Sequence, residues 1–134
     1  MTLRYLLDTN ALSDMVRNPH GKVAQRAGLA GRAGVCTSVV VAGELRYGAA
    51  KRGSKGLTQQ LETILGALDV LALEPPADRI YGELRAKLEA AGTPISGNDL
   101  LIAAHALALD CSLVTANERE FSRVTGLRVE NWLR

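Results

Sequence analysis

The sequence predicts an α/β fold built on a mostly parallel central sheet. Short apolar runs alternate along the chain with longer amphipathic stretches, the pattern of strands joined by crossover helices. The first two apolar runs end at Asp8 and Ser38, each placed to open the helix that follows. Aromatic residues make up only 4% of the chain, so the core has to be built from Leu, Val, Ile and Ala.

Each element follows from local chemistry. Leu3 to Leu7 is an apolar run stopped by a carboxylate, which suits a buried strand. Thr9 to Arg17 reads as a helix closed by Asn18-Pro19, because the residue before a proline is pushed out of the helical region. Lys22 to Ala30 is a second amphipathic helix between Gly21 and Gly31. Val35-Cys36-Thr37 forms the second strand, and Ser38 caps a helix from Val39 to about Lys51. Gly53-Ser54-Lys55-Gly56 breaks the pattern before a helix from Leu57 to Leu68. Val70 to Leu73 is a third strand, ended by Pro75-Pro76. Ala77 to Ala91 is a charged amphipathic helix stopped by Gly92-Thr93-Pro94. Asn98 to Leu109 is a helix with almost no polar face, which places it centrally. Ser112 to Val114 is a fourth strand, and Leu127-Arg128-Val129 a fifth.

A chain of 134 residues fits one domain and can bury a core without disulfides or structural metal. With 47% hydrophobic and 22% charged residues it has the composition of a soluble globular protein. No segment nears the eighteen or so apolar residues of a membrane span, and the apolar stretch at the start is too short for a secretory signal. A cytoplasmic protein with no membrane contact is the expectation. Cys36 and Cys111 lie far apart, each in apolar surroundings, and are expected as reduced core thiols, a disulfide being the alternative; zinc-ligand spacing is absent. Net charge is +2 but unevenly spread: Met1 to Gln60 carries nine basic residues against three acidic, the remainder seven against eleven. Arg17, Lys22, Arg26, Arg46, Lys51 and Arg52 are candidates for phosphate contact, or else charges of a solvated face.

In open parallel sheets, ligands sit beyond the carboxyl ends of the strands. Three acids are expected there. Asp8 follows the first strand, where it can also cap the next helix. Glu44 has Val40, Val41, Tyr47 and Gly48 around it on its helix and no basic neighbour to neutralise it. Asp99 opens the apolar helix, where an acid complements the dipole. Carboxylates held close together raise one another's pKa unless a cation neutralises them. A hard divalent ion takes oxygen ligands, keeps several waters and needs few carboxylates.

The segments Leu7-Asp8-Thr9-Asn10, Ser38 to Gly48 and Pro94 to Ala106, followed by Leu113 to Phe121 and Gly126 to Trp132, resemble in order the PIN domain of VapC toxins. The resemblance spans residues 1–134 as a single PIN domain. It implies a PIN-domain-like three-layer sandwich, with helices on both faces of the sheet. It also implies the toxin of a type II toxin–antitoxin system, an endoribonuclease dependent on Mg²⁺ or Mn²⁺. Carried onto this sequence, Asp8 and Asp99 ligate metal, Glu44 is a further acid, and Asn10 and Thr115 orient the site or its waters. The implied partners are a VapB-type antitoxin, an RNA substrate with the anticodon loop of initiator tRNA foremost, and a second copy of the chain. One position departs from the family pattern: Asn117 stands where many PIN domains carry a fourth acid. Glu120 is the candidate replacement and Glu118 the second choice.

His105 is read as a buried structural residue, and Trp132 and Tyr47 as packing residues rather than base-stacking ones. A phosphotransferase with an aspartyl nucleophile would want an acid where Asn10 stands. A receiver-type domain would want a phosphoacceptor Asp near mid-chain, and Lys51 to Gln60 contains none. The remaining alternative is a catalytically silent PIN-like module that binds RNA or protein.

Overall fold

In a computed structural model describing residues 4–134, five strands form one sheet. They are β1 (Tyr5–Leu7), β2 (Val35–Ser38), β3 (Asp69–Leu71), β4 (Ser112–Val114) and β5 (Val129–Glu130). Their order is β3-β2-β1-β4-β5, and every neighbouring pair is parallel. β1 lies at the centre, with Leu7 opposite Thr37 of β2 and Val114 of β4.

Seven helices connect the strands: α1 (Thr9–Arg17), α2 (Lys22–Ala30), α3 (Val39–Arg52), α4 (Lys55–Gly66), α5 (Ala77–Ala90), α6 (Gly97–Ala108) and α7 (Glu118–Phe121). From β1 the chain steps outward through β2 to β3, then crosses back over β1 to β4. Right-handed crossovers therefore set α1 to α4 over one face and α5 to α7 over the other. The gap between β1 and β4 is where strand order reverses, the place at which such sheets open a binding crevice.

The core is aliphatic, as the composition requires. Leu6, Leu7, Leu12, Val41, Ile102 and Leu113 are fully buried, each contributing about 1.5–3 kcal/mol of apolar transfer. α6 is buried on nearly every side, at Leu100, Ile102, Ala103, Ala104, His105 and Ala106, which accounts for its missing polar face. Cys36 and Cys111 are free, buried thiols with their sulfurs 4.0 Å apart. Trp132 packs on Tyr5 of the central strand, ring centroids 5.0 Å apart, and donates its indole N–H to Glu130. Tyr47, by contrast, is 65% exposed, with the Lys51 ammonium over its ring.

Several boundaries differ from the sequence expectation, each for a local reason. Leu3 lies outside the described residues, and β1 runs from Tyr5. α4 begins at Lys55 rather than Leu57, because the Ser54 hydroxyl accepts from Leu57 N–H and caps the helix through the glycine-rich stretch expected to be a break. β3 is Asp69–Leu71 rather than Val70 to Leu73, its length set by pairing with Cys36 to Ser38. β5 is Val129–Glu130 rather than Leu127 to Val129, because Thr115 N–H reaches Glu130 O and extends the pairing there. The one-turn α7 has no counterpart among the elements expected from sequence. The sheet is parallel throughout, not mostly so.

Candidate active site

Asp8 follows β1 directly and opens α1. Its Oδ1 accepts from Thr9 N–H at 2.7 Å, so it is a helix cap. It is also 2% exposed and faces β4: its own N–H donates to Val114 O, and the Thr115 hydroxyl donates to its Oδ2 at 2.7 Å. Asn10 finishes this arrangement. Its amide N–H₂ points at both Asp8 Oδ2 and Thr115 Oγ1, at 3.4 Å each, while its Oδ1 accepts from Ala116 N–H at 2.8 Å. Asp8 is thus pinned across the β1–β4 crevice. Burial pushes its carboxyl above the ordinary range; the bonds from Thr115 and Thr9 oppose this, and Glu44 adds to it.

Glu44 comes in from the second turn of α3. The Thr9 hydroxyl donates to its Oε1 at 2.8 Å, and Asn98 Nδ2 lies 3.4 Å from its Oε2. One carboxylate is therefore held from both α1 and the start of α6. Asp99 stands in the first turn of α6 and is pushed up to about 6, chiefly by burial, then by the charges of Asp8, Glu120 and Glu44. Glu120, on α7, accepts from Asn117 Nδ2 at 2.8 Å and from Ser96 N–H at 3.3 Å. Four carboxylates from four helices thus share one electrostatic field at the carboxyl edge of the sheet.

The other polar positions separate cleanly. Asn117 sits between two of these groups, giving its backbone N–H to Thr115 Oγ1 and its side chain to Glu120. Glu118 turns away, to Asn131 and the Arg134 guanidinium, which hold its carboxyl below the usual range. His105 is buried on the far side of α6, its Nδ1 2.8 Å from Ser38 Oγ, and burial depresses its pKa. Among the basic candidates, Arg46 is taken up by a two-pronged pair with Glu62, and Arg26 lies over Trp132 and reaches Glu130.

Thr9 and Asn98 are contributors that the sequence does not single out. Each adjoins an acid that it does, and a polar residue flanking such an acid is the signal available. What they do, holding Glu44, depends on contacts between helices.

The donor set suits a hard divalent ion: oxygen only, with burial and mutual repulsion that a cation would relieve. Among the described residues no group of three or more His, Cys, Asp or Glu side chains is placed to hold a metal ion together. An ion held here would take one or two of these carboxylates and complete its shell with water.

Comparison with known proteins identifies the chain's relatives. Residues 5–127 match the family model described as "PIN domain". A curated relative from Rickettsia felis, "Ribonuclease VapC2", is 38% identical over 130 residues, covering 96% of this chain and 97% of its own. Another, "tRNA(fMet)-specific endonuclease VapC" of Shigella flexneri, is 36% identical over 131 residues, covering 97% and 98%. The solved structure of VapBC2 from Rickettsia felis bound to a DNA fragment from its promoter superposes with a TM-score of 0.88 at 34% identity, over 97% of this chain and 99% of that one.

Proposed function

Because this chain belongs to the PIN-domain family, among its VapC ribonucleases, we propose that it is the toxin of a type II toxin–antitoxin pair, an endonuclease that hydrolyses RNA. The observation that carries the reading is the convergence of Asp8, Glu44, Asp99 and Glu120 on the β1–β4 crevice, each held by a named partner or raised by the others. Helix capping accounts for Asp8 and the helix dipole for Asp99, but neither accounts for bringing mutually repelling acids together at one crevice.

Asp8 and Asp99 would hold the divalent ion, Mg²⁺ or Mn²⁺. Bound there, such an ion supplies the Lewis-acid polarisation and acidified water that phosphodiester hydrolysis needs. The protein supplies position. Thr115 and Asn10 fix the rotamer of Asp8, Thr9 and Asn98 aim Glu44 into the crevice as a further acid, and Asn117 steers Glu120 toward Asp99. Glu120 is the fourth acid in this reading and Asn117 its support.

Relatives named for tRNA(fMet) favour initiator tRNA as the substrate to test first. Solved VapBC complexes favour a VapB-type antitoxin as the partner in a hetero-oligomer, and a pair of copies of this chain within it is part of the proposal. Among the described residues no helix is long and apolar enough to cross a membrane, and the cytoplasm, where tRNA resides, is the proposed site of action. The test is direct. The purified chain, freed of antitoxin, should cut a tRNA pool with Mg²⁺, and EDTA or Asp8→Asn should abolish cutting. RNA binding by both proteins with cleavage by neither, across every pool tried, would establish a silent binding module instead.

A further inference from the structure

α1 starts at the carboxylate cluster, α3 meets it at Glu44, and beyond that point the two run side by side. Along α1 the residues at helical spacing are Thr9, Ser13 and Arg17; along α3 they are Glu44, Gly48 and Arg52. Thr9 and Glu44 are hydrogen-bonded at the near end. Beyond that bond the two rows line a cleft of about 240 Å³, with Ser13, Arg17, Glu44, Gly48 and Arg52 in its walls. Val16, Leu45, Leu57 and Leu61 supply an apolar floor.

Arg17 and Arg52 are exposed, and among the described residues neither has an ion-pair partner, whereas Arg46 on the same helix is neutralised by Glu62. Each stands at the last residue of its helix, where a cation also complements the dipole. That benefit needs no shared cleft, and these two share one with Glu44. Two helical repeats of about 1.5 Å per residue put them ~12 Å from the acids along the helix axes. A stacked strand carries one charge per ~3.4 Å of axis, so this is too far for the scissile phosphate and suits one about three or four positions along the strand.

Resting on the ribonuclease reading, we propose that this cleft is a subsite for a nucleotide about three or four positions from the cut, its phosphate held by Arg17 and Arg52 and its ribose or base laid on the apolar floor. A polyanion with one phosphate at the acids must leave the crevice by some path, and this is a cationic path opening directly from Glu44. The cleft is open at Gly48, where a Cβ would meet nothing within 4 Å.

The test uses the full chain freed of antitoxin, in EDTA so that nothing is cut. The probe is a fluorescein-labelled RNA hairpin carrying the initiator tRNA anticodon loop, and anisotropy reads its affinity across a salt series. Arg17→Ala combined with Arg52→Ala should weaken binding about tenfold or more. It should also flatten the plot of log affinity against log salt by about 0.7 for each phosphate left without its cation. Arg17→Lys combined with Arg52→Lys should recover the slope, because the charge is retained. Gly48→Leu, a better helix former than glycine, should weaken binding by filling the cleft without touching a charge. Arg85→Ala, whose partner Glu89 lies on its own helix, serves as the control. Loss of binding in the double alanine and Gly48→Leu variants, with a wild type that binds the hairpin but cuts no RNA, would support the subsite and sink the ribonuclease reading alone. Wild-type affinity and slope in those two variants would overturn the subsite. So would variants that bind RNA normally but escape inhibition by the antitoxin, since the cleft would then belong to a protein partner.

Discussion

Replacing Asp99 with Asn should make the metal-free protein more stable, although it removes a proposed metal ligand. Asp99 is pushed up to about 6 from 3.8 by burial and by three neighbouring acids. In a dry site a shift of that size would correspond to ~3 kcal/mol. Asp99 is only half-buried, and solvent screening reduces the penalty to about 1–1.5 kcal/mol. Losing the favourable interaction of an acid with the start of α6 returns about 0.3–1 kcal/mol. The net gain from Asp99→Asn is therefore roughly 0.5 kcal/mol, or ~2–3 °C in Tm.

The pH dependence identifies its source. A carboxyl whose folded pKa is raised costs nothing while protonated in both states, below about pH 4. The cost grows as pH rises toward 6 and is complete above it. Thermal melts in EDTA at pH 4 and pH 8 should thus show the variant's advantage only at the higher pH. Mg²⁺ titrated at pH 8 should then raise the wild type's Tm, by linkage to the folded state, and leave the variant nearly unmoved. A variant less stable than wild type at pH 8 in EDTA, or an equal rise with Mg²⁺ in both, would refute this account of the acids.

Other substitutions probe the supports of the site. Thr9→Val removes the 2.8 Å donor to Glu44 Oε1, and RNA cleavage should fall roughly tenfold in kcat with little change in Tm, while Thr9→Ser retains most activity. Thr115→Val strips a buried hydroxyl from Asp8 and leaves Asn117 N–H without its acceptor; chemical denaturation should register a loss of about 2–3 kcal/mol. Glu120→Gln should depress cleavage strongly and Glu118→Gln should not, measured on the same tRNA pool; equal effects would mean that neither acid acts at the site.

How far the molecule can be read from its sequence depends on whether the determining interaction is local. Thr9–Arg17 and Lys22–Ala30 stand where caps and glycines put them, because a helix end is settled within a few residues. The start of α4 departs from expectation for an equally local reason: Gly53-Ser54-Lys55-Gly56 looks like a break, and the Ser54 hydroxyl on Leu57 N–H carries the helix through it. The extents of β3 and β5 are not local at all, since a short strand stops where its partner stops. The site divides along the same line. Asp8 is visible because a strand ends on it, and Asp99 because it opens a helix with no polar face. Glu118 and Glu120 are two residues apart and so point to different sides of one turn, but spacing does not say which side is the crevice; Asn131 and Arg134 hold the one, and Asn117 and Ser96 the other. The rows Thr9–Ser13–Arg17 and Glu44–Gly48–Arg52 carry the point furthest. Each can be written down from helical spacing alone, yet a row of side chains has no ligand until a second row faces it. Here the facing follows from β1 and β2 being parallel neighbours, which starts both helices at the same edge of the sheet and points both arginines down one cleft.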